Sequence, residues 1–294
     1  MTAPALEPAA RLYDVRYSRY DGGHEPRWRA VLSLARSSGG RALGLRKSTG
    51  AKLWPLLLVA AAFLPAVTAV GVPLLAPGAP PPQEILSYSQ LLSITLLVVV
   101  AFSATTLPSL LTRERRDRVL SLYFSTAVSA REYLLGKVLA ATVLMLLVTL
   151  GPLLVLFLGT VLTAEAPLDR LGDDVGDLPR IVAAGVVVAL YYGALGLAAG
   201  SLTAKRVFAV GGMLGLLLVS PVLAGLTYDL SDSRSALAID LAQAPVYAAT
   251  TMLTPVRDDD MFLPPDALAW AVTVGVIALS ALLLVLRYRG RDDA

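Results

Sequence analysis

Few residues of this 294-residue chain could do covalent chemistry, and they do not gather in the sequence. The single histidine, His24, follows Gly22 and Gly23 in a polar stretch, with no second histidine to share a metal or a proton. Cysteine is absent, which removes thiolate nucleophiles, disulfides and thiol metal sites. Ser93, Thr95, Ser103, Thr105 and Thr106 share one apolar run with no histidine or lysine near them. Hydroxyls so placed are expected to hydrogen-bond within their own helix or to a neighbouring one. A phosphate-cradling loop needs the pattern GxxxxGK[S/T] after an apolar strand. The nearest approach, Gly39 to Gly44, runs into Leu45, Arg46 and Lys47 in the wrong register with no such strand, and reads as a flexible turn. No catalytic, metal-binding or cofactor-binding residue is therefore assigned, and nucleotide hydrolysis is expected on a partner chain.

The densest chemistry is that of recognition. Thr112 to Lys137 reads TRERRDRVLSLYFSTAVSAREYLLGK, a charged segment between two apolar runs. Arg113, Glu114, Arg115, Arg116 and Asp117 crowd its start, an apolar patch over Val119, Leu120, Leu122, Tyr123 and Phe124 follows, and Arg131 with Glu132 opens the next apolar run. Apolar side chains can fill a partner's groove while rim arginines set its orientation. The alternative is that these arginines serve only topology and lipid headgroups, but topology alone does not require the apolar patch.

The elements that must carry this segment follow from composition. The chain is 56% hydrophobic and 16% charged, with a mean hydropathy of +0.67, where a soluble domain carries about a quarter charged residues. Its apolar runs approach the roughly 20 residues that cross a bilayer core of about 30 Å. The fold class is an all-α polytopic membrane protein with six transmembrane helices, at about 53–75, 88–111, 133–162, 181–202, 207–227 and 267–286. These form one transmembrane domain over 53–286, between an N-terminal segment 1–52 and a tail 287–294. The N-terminal segment has no apolar core and cleavage site of a secretory signal. Within Arg27 to Leu45, Trp28, Val31, Leu32 and Leu34/Ala35 recur at helical spacing beside Arg27, Arg29 and Arg36, which predicts an amphipathic interfacial helix. A cytosolic helix packed on the protein is the alternative. Pro65 predicts a kink in the first span, and Gly151-Pro152 a bend in the third.

The pI near 9.2 does not point to nucleic acid, because the basic residues cluster in alternate loops. One side holds 21 of the 25 lysines and arginines, so both termini are expected in the cytosol. No charged side chain falls in the middle of a span, which argues against proton-coupled transport. Gly196/Gly200 and Gly211/Gly215 form two small-xxx-small pairs, suited to packing within the chain or, for Gly211 and Gly215, to a dimer contact. Tyr191 and Tyr192 could line a cavity or pack with satisfied hydroxyls. Ala242 to Leu253, AQAPVYAATTML, is too short to span, and reads as a surface helix or a re-entrant one shielded by protein.

The charged segment carries a family resemblance. Arg113-Glu114, then Leu122 to Phe124, then Ser125 to Glu132, then Leu134-Leu135-Gly136-Lys137 resemble the pattern of the ABC-2 permease family, the membrane subunits of bacterial ABC exporters. There a charged RE segment after span two leads to a run like LSTPVSRREFLLGK. The six-span layout, the amphipathic helix before span one and the proline-marked piece between spans five and six are similar as well. Arg118, Ser121 and Ala127 depart from the glycine, acid and proline common in that family. The resemblance implies that the segment is a coupling helix seated in a cleft of an ATPase, with Glu114, Arg115, Arg118, Val119, Leu122, Tyr123, Arg131 and Glu132 as docking residues. It further implies two copies of an ABC ATPase carrying ATP and Mg, and a second permease copy as a homodimer. A pathway lined by spans one, two and five would move a hydrophobic or amphipathic cargo out across the plasma membrane. The other reading is a non-transporting scaffold or sensor that docks a cytosolic partner through the same loop. An intramembrane enzyme lacks a catalytic constellation.

Overall fold

The computed structural model describes residues 26–45, 49–76, 78–116, 129–254 and 263–289, and among these there are helices and turns but no strand. Helix α1 (Arg27–Ala42) precedes α2 (Thr49–Leu75), and a single turn, α3 (Pro82–Ile85), leads into α4 (Tyr88–Thr106). After a step at Leu107 and Pro108 come α5 (Ser109–Arg116), α6 (Ala130–Leu162) and α7 (Pro167–Asp174). Then follow α8 (Leu178–Leu202), α9 (Arg206–Ser231), a 3-10 segment (Arg234–Ile239), α10 (Ala244–Leu253) and α11 (Asp266–Arg289). Among the described residues six stretches are long and apolar enough to cross a membrane: Lys52–Leu75, Tyr88–Thr112, Arg131–Leu162, Pro167–Leu202, Arg206–Ser231 and Asp266–Arg289. Five of them match the predicted runs to within four residues; the fourth begins at Pro167 rather than 181, because α7 leads directly into α8.

Local chemistry sets several ends. Ser87 with Gln90 and Ser129 with Glu132 form capping boxes that start α4 and α6. Helix α1 ends in a Schellman turn: Gly44, at φ +73°, donates to the Arg41 carbonyl and Leu45 N–H donates to the Gly40 carbonyl. The helix therefore runs through Gly39 and Gly40, where a flexible turn was expected. Two helical glycines cost about 1 kcal/mol each; the capped end and the packing of α1 on α6 offset that. Pro65 and Pro152 stand inside α2 and α6, each of which continues past its proline as one helical element.

The spans form an inner and an outer set. Burial takes 61%, 50% and 61% of the apolar windows of α4, α6 and the α8 stretch, against 28%, 28% and 22% for α2, α9 and α11. Helix α6 is the hub, touching α1, α2, α4 and α8. Its glycines are notches: a Cβ on Gly136 would stand 2.8 Å from Leu34, and one on Gly151 would stand 2.5 Å from Phe63 of α2. At Gly159 the same test runs into Val70 of α2. The step between α4 and α5 is seated in α8 by Gly196, under Leu107, and Gly200, against Pro108. That glycine pair is thus used within the chain. Gly211 and Gly215, by contrast, lie on the exposed face of α9 with open space around them.

The piece between spans five and six enters the bundle. Tyr191 donates to the Leu241 carbonyl at 2.6 Å, Tyr192 donates to the Ala242 carbonyl, and the Leu241 N–H donates to Ser220 Oγ at 3.1 Å. Tyr192 stands 14 residues into α8, about 21 Å from its start at 1.5 Å per residue. Helix α10 then climbs back against α8, α11 and α4, with Thr273 Oγ1 donating to the Ala244 carbonyl and Trp270 Nε1 donating to Thr251 Oγ1. The piece follows the course the re-entrant reading expects in entering the bundle, and the two tyrosines are packed with satisfied hydroxyls. The position brings one carboxylate into the interior, Asp240, which lies outside the six spans and was not singled out in the sequence. Its Oδ1 accepts the N–H groups of Ala242 and Gln243, while burial pushes the carboxyl above its usual range.

Candidate functional site at the root of the charged segment

The two ends of the charged segment meet at a buried ionic knot. At the C-terminal end, the Ser129/Glu132 box orients the first turn of α6, which places Tyr133 and Lys137 at i and i+4 on one inward face. Gly136, between them, lets Leu34 of α1 approach closely. At the N-terminal end, α5 presents Glu114 to the same point, and α1 supplies Ser38 and Arg41 from successive turns. Glu114 Oε1 accepts from Lys137 Nζ at 2.6 Å and from Arg41 Nη2 at 3.0 Å, and Oε2 accepts from the Tyr133 hydroxyl at 2.6 Å. Lys137 Nζ also donates to Ser38 Oγ at 2.9 Å and lies 5.2 Å from the centre of the Tyr133 ring. The Tyr133 ring in turn meets Tyr288 of α11 at a centroid distance of 6.0 Å.

Glu114 is 4% exposed and Lys137 1%, so both charges have lost nearly all their hydration. Desolvation on this scale is tolerable only because each is paired and hydrogen-bonded on several sides. Removing one member leaves the other stranded, so α1, α5 and α6 are obliged to move together. A cavity of about 30 Å³ remains beside the carboxylate, lined by Ser38, Arg41, Ser109, Leu110, Glu114 and Lys137. The single carboxylate is held between two cations, and the Tyr133 and Ser38 hydroxyls beside it are spent on Glu114 and Lys137. Among the described residues no group of acids and histidines could hold a metal ion. The knot ties α5 and α6, the helices that flank the charged segment, to each other and to α1.

The docking residues expected from sequence fall into three groups. Glu114 is turned into the protein and holds the knot, so its carboxylate does not face outward. Arg131 is exposed on the first turn of α6, and Glu132 accepts the Ser129 N–H at 2.9 Å while lying 3.8 Å from Arg27. Arg115 is on α5 but its side chain is outside the described residues, as are Arg118, Val119, Leu122 and Tyr123 altogether. Ser38, Arg41, Tyr133 and Lys137 were not assigned as site residues. One signal was present: Lys137 stands alone in an apolar run, and a lysine there needs an acid. Which acid, and which hydroxyls, no spacing discloses.

A second feature lies on the flank of the bundle. Helix α4 touches both α2 and α9, and between them it leaves Ile94 and Leu97 exposed. At one end of this strip Trp54 Nε1 donates to Thr105 Oγ1 at 3.4 Å, and Arg206 Nη2 donates to the Thr105 carbonyl at 2.7 Å. The strip is apolar along its length and polar at that end.

Comparison with known proteins agrees with this layout. The model of one family, described as ABC-2 family transporter protein, matches residues 48–286, which takes in all six spans and the charged segment. No curated protein matches the chain.

Proposed function

The chain belongs to the ABC-2 family of transporter proteins, and on that premise we propose that it is the permease of an ATP-driven exporter energised through the segment between α5 and α6. Its place as a multi-pass membrane subunit of a transporter rests on the family and the six apolar helices. The observation that supports coupling to an ATPase is the knot at Glu114. A partner can move the spans only through a contact that is rigid and held at both ends. Glu114 at one end and Tyr133 and Lys137 at the other are bonded to each other and to α1. Force on Leu122 and Tyr123 therefore passes into α4 through α5 and directly into α6.

In this reading two copies of an ABC ATPase bind ATP and Mg, with Arg115, Arg118, Val119, Leu122, Tyr123 and Arg131 facing them. Two permease copies pair with the exposed Ile94 and Leu97 of α4 and the open Gly211 and Gly215 of α9 turned inward. An apolar path between α2, α4 and α9 suits a hydrophobic or amphipathic cargo, moved outward as the ATPases close. Both termini and α1 lie on the cytosolic side, in agreement with the distribution of lysine and arginine. The test is co-expression with an ABC ATPase from the same genome and reconstitution in vesicles. Leu122→Asp with Tyr123→Asp is expected to abolish ATPase co-purification and ATP-dependent efflux. Efflux that survives the double substitution overturns the coupling role. Binding of a cytosolic partner without any ATP-dependent transport would instead favour a scaffold.

A further inference from the structure

We infer that the groove between α1 and α6 is a binding site for one anionic phospholipid of the leaflet in which α1 lies. The groove encloses about 500 Å³, within the roughly 300–1,000 Å³ of small-molecule sites. Leu32 and Ala35 of α1 and Leu43 just past its end face Leu139, Val143 and Leu144 of α6 across it. Helix α1 thus divides its work between two faces. Leu34, Ser38 and Arg41 engage α6 and Glu114, while Leu32, Ala35, Gly39 and Leu43 recur at helical spacing along the cavity. The Schellman turn folds Leu45 back over the end of the slot. Gly39 and Gly40 keep the slot wide by having no side chain: a Cβ at Gly39 would meet nothing within 4 Å, and one at Gly40 only Leu45 at 3.9 Å.

The occupant follows from the polarity of the lining. Arg36 is the one charged residue among the lining residues, it is exposed, and it makes no hydrogen bond or ion pair with a described residue. An apolar slot with a free guanidinium at its lip matches an acyl chain joined to a phosphate, which arginine takes bidentately. A peptide would bury backbone N–H and C=O groups where the walls offer them no partners. A neutral amphiphile would leave Arg36 without a counter-charge. The site is independent of ATPase docking, since it lies on the α1 face turned away from the knot.

The experiment is native mass spectrometry of the full chain in detergent, titrated with phosphatidylglycerol or phosphatidylcholine of identical acyl chains. The wild type is expected to bind one phosphatidylglycerol with about a fivefold preference, the value of one arginine at a lipid surface. Arg36→Gln, at an exposed side chain without a partner among the described residues, is expected to bind both lipids equally. Gly39→Leu, which fills the slot from a position with open space, is expected to lose both. Equal binding of the two lipids by the wild type, or a wild-type preference in Arg36→Gln, overturns the proposal. So does undiminished lipid binding in a well-folded Gly39→Leu.

Discussion

Glu114→Gln isolates the charge of the knot from its shape. The substitution keeps the side chain's volume and one carbonyl acceptor for Lys137. It removes the negative charge from between Lys137 and Arg41 and turns one end into an amide donor that cannot accept from the Tyr133 hydroxyl. Arg41 is a third exposed and can turn to solvent, whereas Lys137 has no such route at 1% exposure. Breaking a buried pair by removing one partner costs about 3–5 kcal/mol, and the retained acceptor places this case near the lower end. At the 2–4 °C per kcal/mol typical of 150–250 residues, a cost of about 3 kcal/mol is a fall in Tm of roughly 6–12 °C. The assay is thermal unfolding of the purified chain in detergent, followed by tryptophan fluorescence. A second variant, Glu114→Leu with Lys137→Met, replaces the pair by apolar side chains and is expected to recover most of the stability. If Glu114→Gln melts within 2 °C of the wild type, the charge is not desolvated as the geometry requires and the reasoning fails. If the double variant melts no higher than the single one, shape rather than charge governs the site. With an ABC ATPase bound, the stable double variant is further expected to hydrolyse ATP with reduced transport, because α1, α5 and α6 are no longer obliged to move together.

Ser129→Ala removes the cap of α6 and is expected to cost about 1 kcal/mol, read as a lower Tm with the start of α6 exchanging amide hydrogens faster. Gly159→Ala drives a methyl group into Val70 and is expected to lower Tm, while Gly215→Ala, in open space, leaves the melting of the isolated chain unchanged; equal effects of the two would contradict the packing described. Tyr192→Phe orphans the carbonyl of Ala242 and is expected to cost about 1–3 kcal/mol, with protease sensitivity rising first between residues 232 and 254. Because burial raises the carboxyl of Asp240, its contribution to stability is full below the ordinary aspartate range and is lost as pH rises through the raised value. Asp240→Asn keeps the acceptor for Ala242 and Gln243 and no longer ionises, so its Tm is expected to equal or exceed the wild type's at pH 7 and to lack that slope; a lower Tm at pH 7 would refute the assignment.

Much of the architecture was legible because the bilayer imposes a length and a polarity on every span. Six runs of about 20 apolar residues are recognisable without any partner being known, whereas the Ser129/Glu132 cap that starts α6 at Ala130, ahead of the expected 133, was not read from the sequence. The charged segment was legible for the same reason: charge between two spans must lie at an end of the bundle. The interior was far less so. Apolar residues surround every span, so no amphipathic stripe tells α4, α6 and α8 from α2, α9 and α11. The glycines show the limit well. Gly196/Gly200 and Gly211/Gly215 have the same spacing, yet the first pair seats Leu107 and Pro108 and the second faces open space.

What the sequence determined by itself, then, is local: where the chain turns helical, how long each helix is, which loop is charged, and which family it belongs to. What only the tertiary structure decided is which of those charges are inside. Glu114 reads as one more member of an exposed acidic and basic cluster, and Lys137 as the last residue of a motif. Chain crossing at α1, α5 and α6 brings Glu114, Lys137, Arg41, Ser38 and Tyr133 together from sequence separations of 19 to 99 residues. A carboxylate's environment depends on every element packed against it, and the sequence shows only the neighbours along one of them.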